Sequence, residues 1–209
     1  WEKVKLREVE IRKNQKWPMV ELGEVCEFVG GYAFKSEELK KIKEKQNDFP
    51  VIKIGNVDKS GILDISDAQY YEYQDFLKKY LILKDDILIA MTGATVGKVA
   101  YSQFDNLLLN QRVGIVRADK EKILKSFLKN LLLSHEFYDY CQVQAGGGAQ
   151  GNISPSQIQK YTIPLPPLST QKQIVQKIEA ERALVESAKK LIRIYEQKTK
   201  EVIAKLWSE

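Results

Sequence analysis

The sequence is poor in the residues on which most catalytic and metal sites depend. Its 209 residues include one histidine, His135, and two cysteines, Cys26 and Cys141. His135 falls inside a predicted helix without a Cys or His partner at zinc-ligand spacing, and a Ser-His-Asp or Cys-His nucleophile would need this same histidine. We therefore predict no metal site, no cofactor and no catalytic residue. Two cysteines are also too few for a disulfide framework, which favours a reducing, cytoplasmic location.

Long apolar runs and strong charge of one sign are missing as well. No run of about 18 apolar residues occurs, so no transmembrane helix is predicted, and the charged stretch 1–17 does not resemble a secretory leader. The net charge is only +5, with 33 basic and 28 acidic residues. If the protein binds nucleic acid, its positive charge must be concentrated on one face, because the bulk composition does not require such binding.

The C-terminal residues contain neither glycine nor proline between positions 170 and 205. At about 1.5 Å per residue this stretch predicts a helix of roughly 54 Å, beginning at Ser169 with Thr170 and Gln173 as its capping box. Apolar or small residues recur in alternating steps of four and three, interrupted by Glu181 and Thr199, which is a coiled-coil seam. The seam residues are Ile174, Ile178, Val185, Ala188, Ile192, Tyr195, Val202 and Leu206.

The patterns before this helix predict an α+β domain over residues 17–168, and residues 1–16 read as an N-terminal extension. Strands are expected at 51–57, 87–91, 96–101 and 113–117, and one helix at 123–141. Ser154 with Pro155 starts a short helix, and residues 163–168 form a stiff connector before the C-terminal helix at 169–209. The extension repeats parts of 17–25 at an offset of sixteen residues, either by coincidence or as the trace of a second domain start.

Three loops carry residue types that suit contact with nucleic acid. Gly93–Lys98 superficially resembles a phosphate-binding loop, but its glycine spacing is too short and Val99 replaces the magnesium-binding hydroxyl. A tight hairpin explains the two glycines equally well, while Thr92, Thr95 and Lys98 would still suit a DNA backbone. The tyrosines at positions 70–80 are typical of core packing, with a stacking platform for bases as the alternative.

The second and third loops are rich in amide side chains. Asn110, Gln111 and Arg112 follow an apolar run, and such side chains can address adenine or guanine through two hydrogen bonds. Asn110 and Gln111 could equally satisfy buried backbone groups. Residues 146–153 form a glycine-rich loop with Gln150 and Asn152, which is either a flexible connector or a DNA-facing loop.

Six segments in this order resemble the DNA specificity subunit of type I restriction-modification systems. They are Trp17–Val25, Pro50–Val57, Asp86–Lys98, Leu109–Arg112, Gly147–Ser154 and Pro164–Gln171, the last with its long helix. The resemblance implies a target-recognition domain of mixed α/β fold followed by a spacer helix. It also implies a non-catalytic chain that reads one half of a bipartite DNA site and docks methyltransferase and restriction subunits, which bring the S-adenosylmethionine and ATP chemistry.

Members of the family usually carry two such units, whose helices pair antiparallel, whereas this sequence contains one. It is either a natural half-sized subunit that forms a homodimer or half of a longer chain. A homodimer would read a palindromic, interrupted site, because a two-fold axis presents the same surface twice. We expect Lys35, Lys53 and Lys98 to hold phosphates, and the candidates for base or groove contacts are Asn56, Gln111, Arg112, Gln150 and Asn152.

Two other interpretations remain open at the level of sequence. The chain could be a coiled-coil dimerisation module whose globular head binds a protein partner. It could also be a small nuclease, for which Asp85 and Asp86 are the best carboxylate pair, although they precede a strand that they would more naturally cap. On the C-terminal helix, Lys177, Lys189 and Arg193 either dock methyltransferase helices or form a solvated charged face.

Overall fold

The computed structural model describes residues 17–58, 60–146 and 151–207, which form two compact units. The first ends at Pro166 and the second begins at Pro167. The first unit has mixed α+β structure and the second is one long helix, so the predicted fold class is confirmed. Residues 1–16, which contain the first copy of the short repeat, and Gln150 lie outside the described residues.

The first unit is built from short elements. Its strands are β1 (Met19–Glu21), β2 (Cys26–Gly30), β3 (Asp48–Ile52), β4 (Gln69–Glu72), β5 (Leu81–Ile82), β6 (Ile87–Ala90), β7 (Val99–Tyr101), β8 (Leu107–Leu109), β9 (Val113–Ala118) and β10 (Thr162–Pro164). Its α-helices are α1 (Leu22–Val25), α2 (Lys125–Leu132), α3 (His135–Gln144) and α4 (Pro155–Gln159). Single 3₁₀ segments cover Ser36–Glu38, Ile54–Asn56, Asp75–Tyr80 and Gly93–Thr95.

Two four-stranded sheets make up the centre of this unit. One is antiparallel with strand order β2-β9-β6-β7, and the other has the order β4-β3-β8-β5 with a parallel β3–β8 pair. Strands β1 and β10 form a separate two-stranded ribbon. Alternate residues of both larger sheets share one apolar cluster, as the two-residue side-chain period of a strand requires. This cluster includes Ile52, Ile82, Leu88, Ala90, Leu107, Leu109, Val113 and Ile115.

A second cluster contains the aromatic residues. Phe34, Val51, Leu77 and Leu108 are buried there, and Tyr32, Tyr71 and Tyr80 pack against them. The ring centroids of Phe34 and Tyr71 lie 4.9 Å apart in an edge-to-face arrangement, which is a favourable geometry for aromatic pairs. The Tyr-rich stretch at 70–80 therefore contributes to packing, as the sequence indicated.

The single helix predicted at 123–141 is wrong, because the structure has two helices with a break at Leu133–Ser134. Ser134 is the N-cap of α3, and its hydroxyl accepts a hydrogen bond from the backbone N–H of Phe137 at 3.3 Å. Capping satisfies a backbone donor that would otherwise lack a partner at the start of the second helix. The continuous apolar pattern concealed this break.

Two other element boundaries differ from the sequence prediction. The strand expected at 51–57 ends at Ile52, because the chain turns at Ile54–Asn56. The Asn56 side-chain oxygen accepts from the backbone N–H of Lys53 at 2.8 Å and so closes this turn. The connector expected at 163–168 is partly paired, since Ile163 lies opposite Val20 in the β1–β10 ribbon.

The second unit is helix α5 (Leu168–Leu206). Its N-cap is Pro167, whose carbonyl accepts from the N–H groups of Thr170 and Gln171 at 2.9 Å each. The predicted capping role of Thr170 and the predicted start at Ser169 are therefore wrong, since both residues lie inside the first turn. Ile174 and Ile178 are half-buried, and every residue from 179 to 207 is exposed. Among the described helices, none has the length and apolarity needed to cross a bilayer.

Candidate nucleic-acid interface

The loops singled out from the sequence meet at one end of the two sheets. In the antiparallel sheet Gly30 lies opposite Gly114 and Ala90 lies opposite Val113, so β2 and β6 end where β9 begins. In the second sheet the parallel strands β3 and β8 end side by side. We call the residues 31–35, 53–56, 91–98, 110–112 and 151–152 the loop edge.

Backbone hydrogen bonds tie these segments to one another. The N–H of Gln111 donates to Tyr32 at 2.9 Å, and the N–H of Met91 donates to Arg112 at 2.9 Å. Gly93 in turn donates to Gly151 at 2.8 Å. Four segments of the loop edge are consequently connected to one another, and the N–H of Asn110 donates at 3.1 Å to the carbonyl of Ile52, which directly precedes the fifth segment.

Charge is strongly segregated on this surface. The loop edge contains Lys35, Lys53, Lys98 and Arg112 and no aspartate or glutamate, although the whole chain has 28 acidic residues against 33 basic ones. The Lys35 side chain is 69% exposed, and its contact with Glu38 spans 3.6 Å. Such an exposed ion pair contributes little and leaves the cation available. The loop-edge segments are therefore basic, with two carboxylates at their border: Glu38 beside Lys35 and Asp67 beside Asn56.

The turn at 110–112 contains one side-chain amide that holds the backbone in place and two side chains that are exposed. The Asn110 side-chain oxygen accepts from the backbone N–H of Arg112 at 3.3 Å, whereas Gln111 and Arg112 are exposed. Gly31 lies directly beside this turn, where an added Cβ would stand 2.1 Å from the Asn110 carbonyl oxygen. Only glycine fits there, so Asn110 and Gly31 shape the turn while Gln111 and Arg112 face solvent.

The Gly93–Lys98 segment is a tight hairpin turn between β6 and β7. Gly93 and Gly97 both have positive φ angles, of 70° and 76°, which glycine adopts without steric cost. The Thr95 hydroxyl donates to the carbonyl of Thr92 at 3.2 Å and closes the turn. The two glycines thus allow the tight hairpin turn, which was one of the two interpretations of this segment. Lys98 lies half-buried at the end of the turn.

Helix α3 supports two segments of the loop edge from behind. The Gln142 side-chain amide donates to the carbonyl of Val96 at 2.7 Å, and an added Cβ on Gly97 would stand 2.6 Å from the Cβ of Cys141. The Tyr140 hydroxyl donates to the carbonyl of Gln157 at 2.6 Å, which anchors α4 just after Asn152. The role of Gln142 could not be predicted from the sequence, because a single glutamine on a helix does not reveal its distant partner.

Two of the predicted contact residues are engaged inside the protein. Asn56 is 5% exposed, its amide nitrogen donates to Asp67 at 3.1 Å and its oxygen holds the Lys53 N–H. Because both ends of the amide are satisfied, we remove Asn56 from the set of base-contacting candidates. The half-buried Lys53 donates to the side chain of Gln69, so its charge lies on the loop edge but its ammonium is partly occupied.

Asn152 lies where a ligand could meet it, whereas the hydroxyl of Thr92 is buried. Asn152 is exposed and forms an isolated β-bridge with the half-buried Thr92. This bridge brings the described part of the glycine-rich loop beside the hairpin turn. Thr92 and Asn152 are thus adjacent on the loop edge, although they are sixty residues apart in the chain.

The carboxylate pair considered for a nuclease has a structural role. Asp86 is 4% exposed and its carboxylate accepts from the Arg117 guanidinium at 2.7 Å and 3.1 Å. These hydrogen bonds raise the pKa of Arg117 further. Asp85 is exposed with a positive φ of 66° in the turn before β6. Within the described residues, no group of three or more His, Cys, Asp or Glu side chains is placed to hold a metal.

These features define an α+β binding domain followed by a long, exposed helix. The chain belongs to the family of type I restriction modification DNA specificity domains, which matches it over residues 14–194. The family assignment thereby confirms the resemblance drawn from the six sequence segments.

Individual relatives agree with this assignment. The chain is 27% identical over 176 residues to the EcoBI specificity subunit of Escherichia coli, covering 84% of this chain and 34% of that protein. It is 30% identical over 184 residues to the MjaVIII specificity subunit of Methanocaldococcus jannaschii, covering 84% and 42%. The chain therefore spans less than half the length of these relatives.

Solved structures of the same kind share the fold. The HsdS subunit from Thermoanaerobacter tengcongensis superposes with a TM-score of 0.63 at 19% identity, covering 83% of this chain and 39% of that one. The type I S subunit from M. genitalium gives a TM-score of 0.59 at 16% identity, covering 89% and 44%. At this identity the likeness concerns the fold alone.

Proposed function

We propose that this chain recognises one half of a bipartite site in double-stranded DNA through the loop edge. The observation that carries the proposal is the charge of the loop-edge segments, which contain four cations and no aspartate or glutamate, with the carboxylates of Glu38 and Asp67 at their border. A phosphate backbone attracts such a surface through release of its counterions. The relatives' designation as restriction enzyme specificity subunits supports the same conclusion.

The residues of the loop edge divide by the contacts that they can make. Lys35 and Lys98 suit phosphate groups, and Lys53 adds to the positive potential. The Thr92 hydroxyl is buried and the Thr95 hydroxyl donates to the Thr92 carbonyl, so we remove both from the phosphate-binding candidates. Arg112 and Gln111 are exposed at a turn whose backbone is already hydrogen-bonded, so their donors are free to address base edges. A guanidinium matches the two acceptors of guanine, and an amide matches adenine. Asn152 beside Thr92 completes the contact set.

The chain would act in DNA recognition without catalysis, and it would need no cofactor of its own. We propose that it docks methyltransferase and restriction subunits, which supply the chemistry of the complex. One solved structure with this fold, at a TM-score of 0.64, concerns complex assembly and conformational transition of the type I restriction-modification system. Lys177, Lys189 and Arg193 on helix α5 are exposed and are candidates for docking those partners.

Helix α5 would also join two copies of the chain. Its exposed apolar residues form a stripe from Leu184 to Leu206, and large apolar patches of this kind mark interaction surfaces. Pairing of two helices would bury the stripe and place two identical loop edges on one DNA duplex. A dimerisation module whose head binds a protein instead of DNA is the competing function that this stripe also favours.

Binding of labelled duplex DNA by the full chain, followed by fluorescence anisotropy, separates the two functions. We expect salt-sensitive binding that weakens on substitution of Lys35 or Arg112 by alanine. The matched control is Lys120→Ala, which removes one exposed cation beyond the end of β9 that lies away from the loop edge. Equal loss of affinity in the control variant, or no binding to any duplex, would contradict the proposal and favour a protein ligand.

A further inference from the structure

The apolar seam of helix α5 is interrupted at two positions only. Ten positions in alternating steps of four and three run from Ile174 to Leu206, and Glu181 and Thr199 are the two that are neither apolar nor small. The helix is continuous across both, and both side chains are exposed. The Thr199 hydroxyl donates to the carbonyl of Tyr195 at 2.8 Å, so the helix itself accommodates this polar residue.

The two interruptions are placed symmetrically about the middle of the seam. Glu181 and Thr199 are equally distant from Lys190 along the chain, and every other seam residue has a counterpart at the same distance on the other side. In an antiparallel pair with a two-fold axis beside Lys190, each seam residue therefore faces its counterpart. The facing pairs are Ile174 with Leu206, Ile178 with Val202, Glu181 with Thr199, Val185 with Tyr195 and Ala188 with Ile192.

We infer that a second copy of this chain covers the seam in this antiparallel register, and that Glu181 and Thr199 are the residues that select it. The inference rests on the self-pairing included in the proposed function and adds its geometry. The two polar residues of the seam then meet each other, and all apolar residues meet apolar or small ones.

Alternative alignments bring polar and apolar residues together. A shift by one heptad in either direction places Glu181 opposite Ile192 or Leu206, where a large apolar side chain covers the carboxylate and removes its water. A parallel, in-register pair places Glu181 opposite Glu181 of the second copy, which brings two like charges into the seam. Each alternative is disfavoured by the same residue, so the polar pair specifies both direction and register.

Residues beside the seam are compatible with this register. Leu191 lies next to the two-fold axis, where it meets Leu191 of the second copy, and Arg182 comes close to Glu196 of the second copy. By the same geometry Lys189 comes close to Lys189 of the second copy, but each ammonium already lies 2.7 Å from Glu186 of its own helix. The proposed register therefore pairs Leu191 with an apolar residue and Arg182 with an acidic one.

The register predicts distances that a spin label can measure. Glu179 lies on the helix face away from the seam, so a label at this position leaves the seam intact. With a rise of 1.5 Å per residue, two labels at position 179 lie about 33 Å apart along the axis in the proposed register. A shift by one heptad changes this separation to about 22 Å or about 44 Å. In a parallel, in-register pair the two labels lie at the same height along the axis, so they are separated only by the distance between the helix axes, about 10 Å.

The experiment is pulsed electron double resonance on the full-length Glu179→Cys variant carrying a nitroxide label. Cys26 and Cys141 are buried, and burial raises the pKa of each thiol to about 12, so they react slowly with the reagent. Oxidative cross-linking of the Val185→Cys/Tyr195→Cys variant, which keeps Glu181 and Thr199, is the second measurement, with Val185→Cys alone as its control. We expect one distance near 33 Å and a covalent dimer from the double variant but not from the control.

The possible failures are distinguishable. A narrow distance near 22 or 44 Å, or a dimer that cross-links through Val185→Cys alone, overturns the register while leaving self-pairing intact. Absence of any dipolar coupling together with a monomeric mass overturns the self-pairing itself, and the register with it. DNA binding by the loop edge is measured separately and does not depend on either result.

Discussion

The side chain of Gln142 holds the carbonyl of Val96 in a hydrogen bond of 2.7 Å. This contact joins helix α3 to the hairpin turn that carries Thr92, Thr95 and Lys98. A turn that presents cations to a ligand must keep its position when the ligand is bound, and Gln142 supplies that restraint from outside the turn. Gln142 is therefore a positioning residue for the proposed contact surface.

Removal of the Gln142 donor should loosen the turn. We predict that Gln142→Ala lowers the free energy of unfolding by about 0.5–1.5 kcal/mol, the usual value for one hydrogen bond, and weakens discrimination between DNA sequences. Gln142→Glu should behave alike, because an ionised carboxylate keeps the length of the side chain but cannot donate. Urea unfolding and competition binding measure the two effects. A Gln142→Glu variant with the selectivity of the original chain would contradict this role.

Lys35 should contribute to affinity without contributing to sequence preference. Each phosphate neutralised changes the slope of log K against log salt by about 0.9. We predict that Lys35→Ala reduces the slope by about that amount and weakens binding to all duplexes equally. Titrations at four or more salt concentrations test this, with Lys120→Ala as the variant whose slope stays unchanged.

Arg112 should instead determine one position of the recognised sequence. Loss of a two-pronged contact to guanine costs about 1–3 kcal/mol for the preferred base and little for the others. The Arg112→Ala variant should therefore bind the preferred sequence more weakly and accept several bases at one position. Comparison of affinities for duplexes that differ at single positions measures this effect, and an unchanged preference at every position would show that Arg112 does not read a base.

The buried carboxylate of Asp48 makes the stability of the first unit sensitive to acid. Burial raises the pKa of Asp48, but hydrogen bonds from the Lys40 ammonium and the backbone N–H groups of Lys45 and Glu44 outweigh it and hold the pKa below its ordinary value. A depressed carboxylate pKa stabilises the folded state above the ordinary pKa, and this contribution is lost as the pH falls through the folded-state value.

We therefore expect the melting temperature of the original chain to fall on acidification below about pH 4, near the ordinary aspartate pKa. Asp48→Asn should melt lower at neutral pH, because the buried carboxylate that accepts from Lys40 and from two backbone N–H groups is lost, and should show a smaller decline in acid. Melting curves between pH 2 and 7 measure both effects. Parallel declines for the two proteins would assign the acid sensitivity to other carboxylates.

Replacement of the polar pair in the seam should separate stability from register. The Glu181→Leu/Thr199→Leu variant removes two polar groups from a buried interface, so we expect a higher melting temperature of the dimer. The same variant loses the residues that disfavour shifted alignments, and the spin-label distances should become broad or multiple. A single sharp distance in this variant would show that other residues set the register.

Periodic features of the sequence were sufficient to predict the main elements. The seam from Ile174 to Leu206 predicted a long helix, and the strand patterns at 51–57, 87–91, 96–101 and 113–117 each overlap a strand of the structure. Helix ends depended on single hydrogen bonds, and those were predicted less well. Ser134 divides a continuous apolar pattern by capping a second helix, and Pro167 rather than Thr170 caps helix α5.

The site was predictable in its segments but less so in its individual residues. Glycine, amide and basic residues marked the loops that meet at the loop edge. The sequence did not distinguish an amide that faces solvent from one that closes a turn, and Asn56 and Asn110 belong to the second kind. That distinction depends on partners such as Asp67, whose proximity only the folded chain reveals.

The central claim is that two copies of this chain read DNA through identical loop edges. Selection from a pool of random duplexes by the full chain, followed by sequencing, tests it most directly. We expect two inverted copies of one short half-site separated by a fixed gap, with relaxed preference at one position of each half-site for Arg112→Ala. A continuous or asymmetric sequence, or no enrichment above the starting pool, would contradict the account.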